Sequence, residues 1–178
     1  SLEVQNPKGV IHLVPVSDYV PMGDFASETI DELKLSLKNR PAVAAWGCIP
    51  PWDFPCPHQQ MNIHISYFNF QNGSGIRSVT VYAIQNTSAI NNEAIDYYYN
   101  GLTEDGQYYL YVNFDLRHTS LTEDDWEVPL EVMTDMTGEK LKEYVIQYGE
   151  MLEASPEAYQ PQLSVLDNAV KSLRVEGE

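Results

Sequence analysis

The pattern of apolar and polar positions predicts a strand followed by a helix at the start of the chain. Segment 10–16 is short and almost wholly apolar, as expected of a strand. In segment 26–40 the apolar residues recur at intervals of three and four, which is the spacing of one helix face: Ala26, Ile30, Leu33 and Leu37. Pro41 follows at once and cannot continue a helix, so we expect the helix to end there.

Alternating side chains predict four further strands, at 61–70, 76–85, 95–100 and 107–117. In the first of them, one face is expected to carry Met61, Ile63, Ile65 and Tyr67. The last has the clearest alternation, with apolar residues on one face and a polar row on the other: Tyr109, Tyr111, Asn113 and Asp115. Segment 71–75 is predicted to be the hairpin loop between the first two strands, with glycine supplying a positive φ.

Apolar stripes at helical spacing return near the C-terminus, in segments 141–151 and 163–173. A strand, a helix, hairpin-linked strands and then two helices is the order of an α+β domain. We therefore predict an antiparallel β-sheet with an N-terminal helix and two C-terminal helices packed on it. Residues 9–178 are expected to form this single α+β domain, after a flexible lead-in of residues 1–8. With 178 residues, 43% of them hydrophobic, the chain can bury one such core.

Charge narrows the function classes. The chain carries 26 acidic and 10 basic residues, a formal net charge of −16, which disfavours binding to nucleic acid. No apolar segment is long enough to span a bilayer. Acidic residues are densest in segment 123–139, where they predict a solvated acidic surface. Two alternatives stay open, namely calcium binding by the carboxylates of 123–127 and docking of a basic partner in a structural or assembly module.

Cys48 and Cys56 lie in the proline-rich segment 41–60, which is predicted to be a long irregular loop. Their spacing allows a disulfide, the preferred prediction, which favours an exported protein in an oxidising compartment. A zinc site is a weaker alternative, because the CxxC spacing is missing and His58 alone would supply a nitrogen ligand. Two free thiols are the third alternative. No cofactor is predicted.

Phosphate and histidine chemistry find little support in the sequence. Segment 72–77 is glycine-bearing, but it joins two predicted strands and no GK[ST] follows, so phosphate binding is not predicted. Two hydroxyl residues follow His118 and Asp115 is close, yet neighbours in sequence do not make a catalytic triad. An extracytoplasmic hydrolase that uses His64 or His118 with a nearby carboxylate therefore stays an alternative.

The chain resembles an uncharacterised family of secreted bacterial lipoprotein-type domains in three blocks: FQNGSGIRSVTVYAIQ (70–85), INNEAIDYYYNGLTEDGQYYLYVNFDL (90–116) and LDNAVKSLRV (166–175). The resemblance extends over about residues 10–175. It implies export to the cell envelope or beyond, and a lipid anchor on the precursor, but no catalytic residue. The last block is also faintly similar to the end of PsbP-type extrinsic domains, a likeness that bears on fold alone.

Tyrosines suggest where the protein makes contact with a ligand. Tyr97 and Tyr99 share one strand face, as do Tyr109 and Tyr111, whose row continues through Asn113 and Asp115. Together with His64 these residues form the predicted site, a Tyr-rich sheet face that is either open to a ligand or covered by a helix. The preferred hypothesis is an exported, noncatalytic domain. It would bind a small molecule, glycan or protein through this face and the 41–60 loop.

Overall fold

The structure, a computed structural model, describes residues 8–42, 59–82, 89–123, 128–135 and 137–176. Three predicted segments lie wholly or mostly outside the described residues. They are most of the lead-in, most of the 41–60 loop with Cys48 and Cys56, and residues 124–127 of the acidic segment. The strands are β1 (Gly9–Pro15), β2 (Gln59–Phe70), β3 (Gly73–Tyr82), β4 (Ile95–Thr103), β5 (Tyr108–Asp115), β6 (Arg117–His118) and β7 (Tyr159–Gln160). The α-helices are α1 (Val16–Tyr19), α2 (Asp24–Asn39), α3 (Leu130–Met133), α4 (Glu139–Glu153) and α5 (Leu163–Ser172).

Five of the strands form one antiparallel sheet in the order β1-β5-β4-β3-β2. The chain runs through β2 to β5 as a meander, and β1 lies at the edge beside β5. The short strands β6 and β7 pair with each other outside this sheet. The α+β class and the antiparallel sheet predicted from the sequence are confirmed.

Helices cover the sheet on both sides, which gives three layers. The first face, as we call the side with the larger core, packs against α4 and α5 through residues that include Val79, Tyr97, Val112, Val145 and Leu166. The second face packs against α2 through a smaller cluster: Ile30, Leu33, Ile76, Leu102 and Tyr109. Side chains alternate between the two faces of a strand, and residues three or four apart share one face of a helix. Each contact between the sheet and a helix therefore joins one apolar side of each element, which agrees with the pattern in the sequence.

The prediction of a glycine-bearing loop at 71–75 is wrong both in the length of the loop and in the reason for its glycines. The hairpin turn consists of Gln71 and Asn72 alone, and Phe70 pairs with Gly73 at the start of β3. Neither Gly73 nor Gly75 has a positive φ. A Cβ atom on Gly75 would lie 2.4 Å from Cζ of Tyr99, so the neighbouring ring is what requires glycine there.

The alternation expected along β2 also breaks. The register with β3 shifts between Ile63 and Ser66, and His64 adopts a left-handed φ of 50°. One irregular residue reverses the side to which later side chains point. Met61 and Ile63, which precede His64, belong to the first-face core. Ile65 and Tyr67 pack with the second-face cluster instead.

The end of the chain is tied to the β2–β3 hairpin. The Asn72 side chain donates to the Val175 carbonyl oxygen at 2.7 Å and accepts from the Val175 N–H at 2.9 Å. The Gln71 backbone N–H donates to the Leu173 carbonyl oxygen at 3.0 Å. The segment after α5 is thereby held at the hairpin, which fixes α5 across the first face.

Candidate functional site

The structure divides the predicted tyrosine site between the two faces of the sheet. Tyr97 and Tyr99 lie on the first face beneath the C-terminal helices, and each is 0% exposed. In the β4–β5 register, Tyr98 stands opposite Asn113. Directly opposed residues of an antiparallel pair share a face, so Tyr98 joins the row of Tyr111 while Tyr97 does not. The prediction of one Tyr-rich face that includes Tyr97 and Tyr99 is therefore wrong.

The two buried tyrosines are anchored inside the first-face layer. The Tyr97 hydroxyl donates a 3.0 Å hydrogen bond to Asp167 on α5, whose other oxygen pairs with Arg77 at 3.3 Å. The Tyr99 hydroxyl donates to the Phe68 carbonyl oxygen at 2.9 Å. Burial, with the Asp167 charge as a second cause, raises the pKa of both phenols. These contacts give both side chains a structural role.

His64 also lies on the first face, beside α4, whereas Tyr111 is on the second face. Its backbone N–H donates to a Glu153 carboxylate oxygen at 3.3 Å, and its carbonyl oxygen accepts from the Arg77 guanidinium. Its ring Nε2 lies 3.1 Å from the Leu152 carbonyl oxygen, and burial lowers the pKa of the imidazole. Three contacts thus hold His64 in the left-handed conformation that causes the irregularity in β2.

His118 is 1% exposed and its ring is fully used by backbone groups. The Ser120 N–H donates to Nδ1 at 3.2 Å, so Nε2 carries the proton that it donates to the Ser155 carbonyl oxygen, also at 3.2 Å. The Tyr159 ring packs edge-on against His118 and His64, with centroid distances of 4.7 and 5.3 Å. Among the described residues, neither imidazole bonds to a carboxylate or hydroxyl, which is the contact that the hydrolase alternative needs.

On the second face, four rings from four adjacent strands form what we call the aromatic row: His12 (β1), Tyr111 (β5), Tyr98 (β4) and Tyr82 (β3). Ring centroids lie 5.9 Å apart between His12 and Tyr111. They lie 5.9 Å apart between Tyr111 and Tyr98, and 5.3 Å apart between Tyr98 and Tyr82. These spacings are those of interacting aromatic pairs. The row crosses the strands and so presents a continuous aromatic strip.

Two carboxylates border the aromatic row. Asp96 and Asp115 stand opposite each other in the β4–β5 register, and the Tyr98 hydroxyl donates to Asp96 at 3.2 Å. Burial raises the pKa of Asp96 to about 6, and the nearby charge of Asp115 acts in the same direction. Hydrogen bonds from Tyr98 and Asn113 oppose that shift. The site therefore combines ring faces with acceptor oxygens.

Cover on the second face changes along β5. Tyr109 is 2% exposed, packs against Tyr19 at 5.3 Å and donates to Asn100 at 2.8 Å, so this end is closed. Tyr111 and Asn113 are partly buried, and Asp115 is exposed. The second face is thus covered at Tyr109, partly covered at Tyr111 and Asn113, and accessible at Asp115.

Four residues of this site are not among those predicted from the sequence: His12, Tyr82, Asp96 and Tyr98. Alternation within IDYYYN already placed Asp96 and Tyr98 together, on the face opposite to Tyr97. What the sequence could not supply was the cross-strand register that sets Tyr98 beside Tyr111. His12 and Tyr82 join the row only through the strand order of the sheet.

Comparison with protein-family models, curated proteins and solved structures finds no match for the chain. The resemblance to secreted lipoprotein-type domains therefore stays a prediction. No helix among the described residues has the length and apolar character that crossing a membrane requires. Within the same described ranges, no group of three or more His, Cys, Asp or Glu side chains is placed to hold a metal ion. Residues 124–127 lie outside those ranges, and they make up most of the segment for which calcium binding is an alternative.

Proposed function

We propose that this protein is a noncatalytic binding domain that holds a glycan against the aromatic row. The observation that carries the proposal is the contact of rings from four neighbouring strands on one sheet face, at 5.3 to 5.9 Å. Sites for small ligands combine aromatic surface with a few well-placed polar groups. Here Asp96, Asn113 and Asp115 supply those groups beside the rings.

The chemistry of the row favours some sugars over others. A pyranose offers an apolar C–H face to stack on tyrosine and hydroxyl donors for the carboxylates. A protonated amine on the sugar adds attraction to the ring faces and to the acidic side chains, whereas a carboxylate on the sugar would be repelled. With a net charge of −16 on the chain, we expect affinity to fall from amino sugar to neutral sugar to acidic sugar.

The test uses three oligosaccharides that differ mainly in charge: glucosamine oligomers, cello-oligosaccharides and oligogalacturonate. Isothermal titration should show saturable binding in the order just given, without release of shorter products. Tyr98→Ala and Tyr111→Ala should each weaken binding about tenfold. The matched control is Tyr148→Ala on α4, a partly buried tyrosine on the opposite side of the sheet, which should leave affinity unchanged. Equal affinity for Tyr111→Ala and the unsubstituted chain would contradict the proposal.

Export is part of the same proposal. It is supported by the resemblance of the three sequence blocks to secreted domains and by the spacing of Cys48 and Cys56. Mass spectrometry of a non-reduced digest should identify a peptide pair joined through these two cysteines. Free thiols at both positions in protein isolated from its native compartment would count against the exported location.

A further inference from the structure

The outer edge of β1, the side away from β5, carries exposed apolar side chains. Among the described residues, β1 pairs with β5 on one side and with no strand on the other. Val10, Ile11 and Leu13 are 45%, 50% and 43% exposed. An exposed, apolar edge strand is a template for another strand.

The hydrogen bonds at the two ends of β1 show which backbone groups face outward. The Asp115 N–H donates to the Lys8 carbonyl oxygen at 3.0 Å, and the Val16 N–H donates to the Gln107 carbonyl oxygen at 2.8 Å. The register between these points has no shift, so the even-numbered residues of β1 direct their backbone groups to β5. The N–H groups that point away from the sheet belong to Gly9, Ile11 and Leu13, because Pro15, the remaining odd-numbered residue of β1, has no N–H.

Residues 9–14 lack the sequence features that protect edge strands. No lysine, bulge or proline interrupts residues 9–14, and Pro15 comes only at the last position. The opposite edge strand, β2, is irregular at His64 and packs against α4. β1 itself also carries no acidic residue, since none occurs between Glu3 and Asp18 in a chain that has 26 of them.

We infer that β1 pairs antiparallel with β1 of a second copy of this chain, about a two-fold axis at Ile11. The three residues with outward N–H groups are symmetric about that position. Gly9 pairs with Leu13 of the second copy, Ile11 pairs with its own counterpart, and Leu13 pairs with Gly9 of the second copy. Each such pair exchanges two backbone hydrogen bonds, and the two five-stranded sheets become one.

Side chains fit this register. The Phe114 ring lies over Gly9, because a Cβ atom there would come within 1.9 Å of its Cδ1 atom. Leu13 of the second copy stands opposite Gly9 on the same face and packs against that ring. Two strongly acidic chains repel each other, and the acid-free strand is a surface on which they can still meet. This charge pattern, together with the self-complementary spacing, favours a second copy over an unrelated peptide.

One strand from each copy buries less area than the 1,200–2,000 Å² or so of a stable interface, so the dimer is weak and depends on concentration. Salt screens the repulsion between the two acidic copies and should therefore strengthen the dimer. Sedimentation equilibrium should show a monomer–dimer equilibrium whose association rises at least severalfold from low to high salt. A chain that stays monomeric at about 1 mM in high salt would overturn the inference.

Two variants separate edge pairing from other contacts. Leu13→Pro removes an outward N–H and no bond to β5, and Ile11→Lys puts a charge on the axis, so both should abolish the dimer while circular dichroism stays unchanged. The control is Leu35→Lys, which charges an apolar side chain that is 58% exposed and belongs to α2 instead of β1. If either edge variant unfolds, the other carries the test. A dimer that survives both would place the interface elsewhere.

A cross-linking experiment tests the register. Ile11→Cys should form a disulfide-linked dimer on oxidation, since the Cα atoms of a hydrogen-bonded pair lie about 5.5 Å apart. Val10→Cys stands opposite His12 of the second copy and should not cross-link. The unsubstituted chain, with Cys48 and Cys56, measures the background. Cross-linking at Val10 but not at Ile11 would reject the axis at Ile11. The inference does not depend on the proposed glycan binding.

Discussion

Arg77 and Asp167 form an ion pair between β3 and α5, with 3.3 Å between the guanidinium Nη2 and the carboxylate Oδ2. Their side chains are only 11% and 15% exposed, and Tyr97 donates to the other Asp167 oxygen. The network joins residues of three sequence segments, 70–85, 90–116 and 166–175, on which the predicted family resemblance rests. In this structure those segments therefore hold the first face of the sheet to its helix.

Replacement of Asp167 by alanine should lower the free energy of unfolding by about 3–5 kcal/mol, because it leaves the Arg77 charge buried and unpaired. Urea denaturation measures the change. The control is Asp31→Ala, which breaks an exposed pair with Lys34 and should change stability by about 1 kcal/mol or less. Equal losses in the two variants would show that burial gives the Asp167 pair no special weight.

Asp96 should make the folded state less stable as the pH rises. Its folded pKa of about 6 exceeds the ordinary value of 3.8, so the folded state holds the proton more tightly than the unfolded state does. The stabilising contribution is complete below about pH 4 and is lost as the pH rises through 6. Asp96→Asn should therefore be more stable than the unsubstituted chain at pH 7.5, by at most about 3 kcal/mol, with the gain vanishing toward pH 4.

Asp115 provides the companion measurement. Its charge raises the pKa of Asp96, so Asp115→Asn should move the Asp96 carboxyl titration, followed by NMR, to lower pH. An unchanged Asp96 titration in this variant would show that the two carboxylates do not interact.

Asn72→Ala should destabilise the protein by about 1–3 kcal/mol, because it removes both hydrogen bonds to Val175. Hydrogen exchange should show faster exchange of the Val175 amide. The control Asn69→Ala removes an exposed side chain of β2 and should stay within about 0.5 kcal/mol. Full protection of the Val175 amide without Asn72 would contradict the role of this contact.

Gly75→Ala should destabilise by about 1–3 kcal/mol or more, since the added Cβ meets Tyr99 at 2.4 Å and the Asn100 carbonyl oxygen at 2.5 Å. Ser74→Ala, one residue earlier in β3, adds no atom and serves as the control. If both variants unfolded at the same urea concentration, the close packing of Tyr99 against Gly75 would not be the reason for glycine.

Local patterns predicted the elements well because their causes are local. Alternation over 107–117 follows from the strand geometry that puts successive side chains on opposite faces, and it anticipated β5 and the composition of both its faces. The spacing over 26–40 anticipated α2, and the stripes near the C-terminus anticipated α4 and α5. The α+β class followed from their order.

Contacts between distant residues explain what the sequence did not predict. Glycine is required at position 75 because the ring of Tyr99, on another strand, lies close to it. The irregularity at His64 is held by Glu153 on α4 and by Arg77 on β3. The sequence pattern around Gly75 or His64 does not indicate either of these contacts. The bias toward a turn at FQNGSG was real, but the turn occupies fewer residues than its glycines suggested.

By itself the sequence determined which side chains of a regular strand such as β4 or β5 point the same way, since that depends on backbone geometry alone. The irregularity at His64 makes β2 an exception. Only the tertiary structure decided which of those sides come together. Tyr97 and Tyr98 are neighbours in a run of three tyrosines, yet one is enclosed beneath the C-terminal helices and the other lies in the aromatic row. Alternation fits either face equally well, and only strand register and helix packing, which join residues distant in sequence, separate the two.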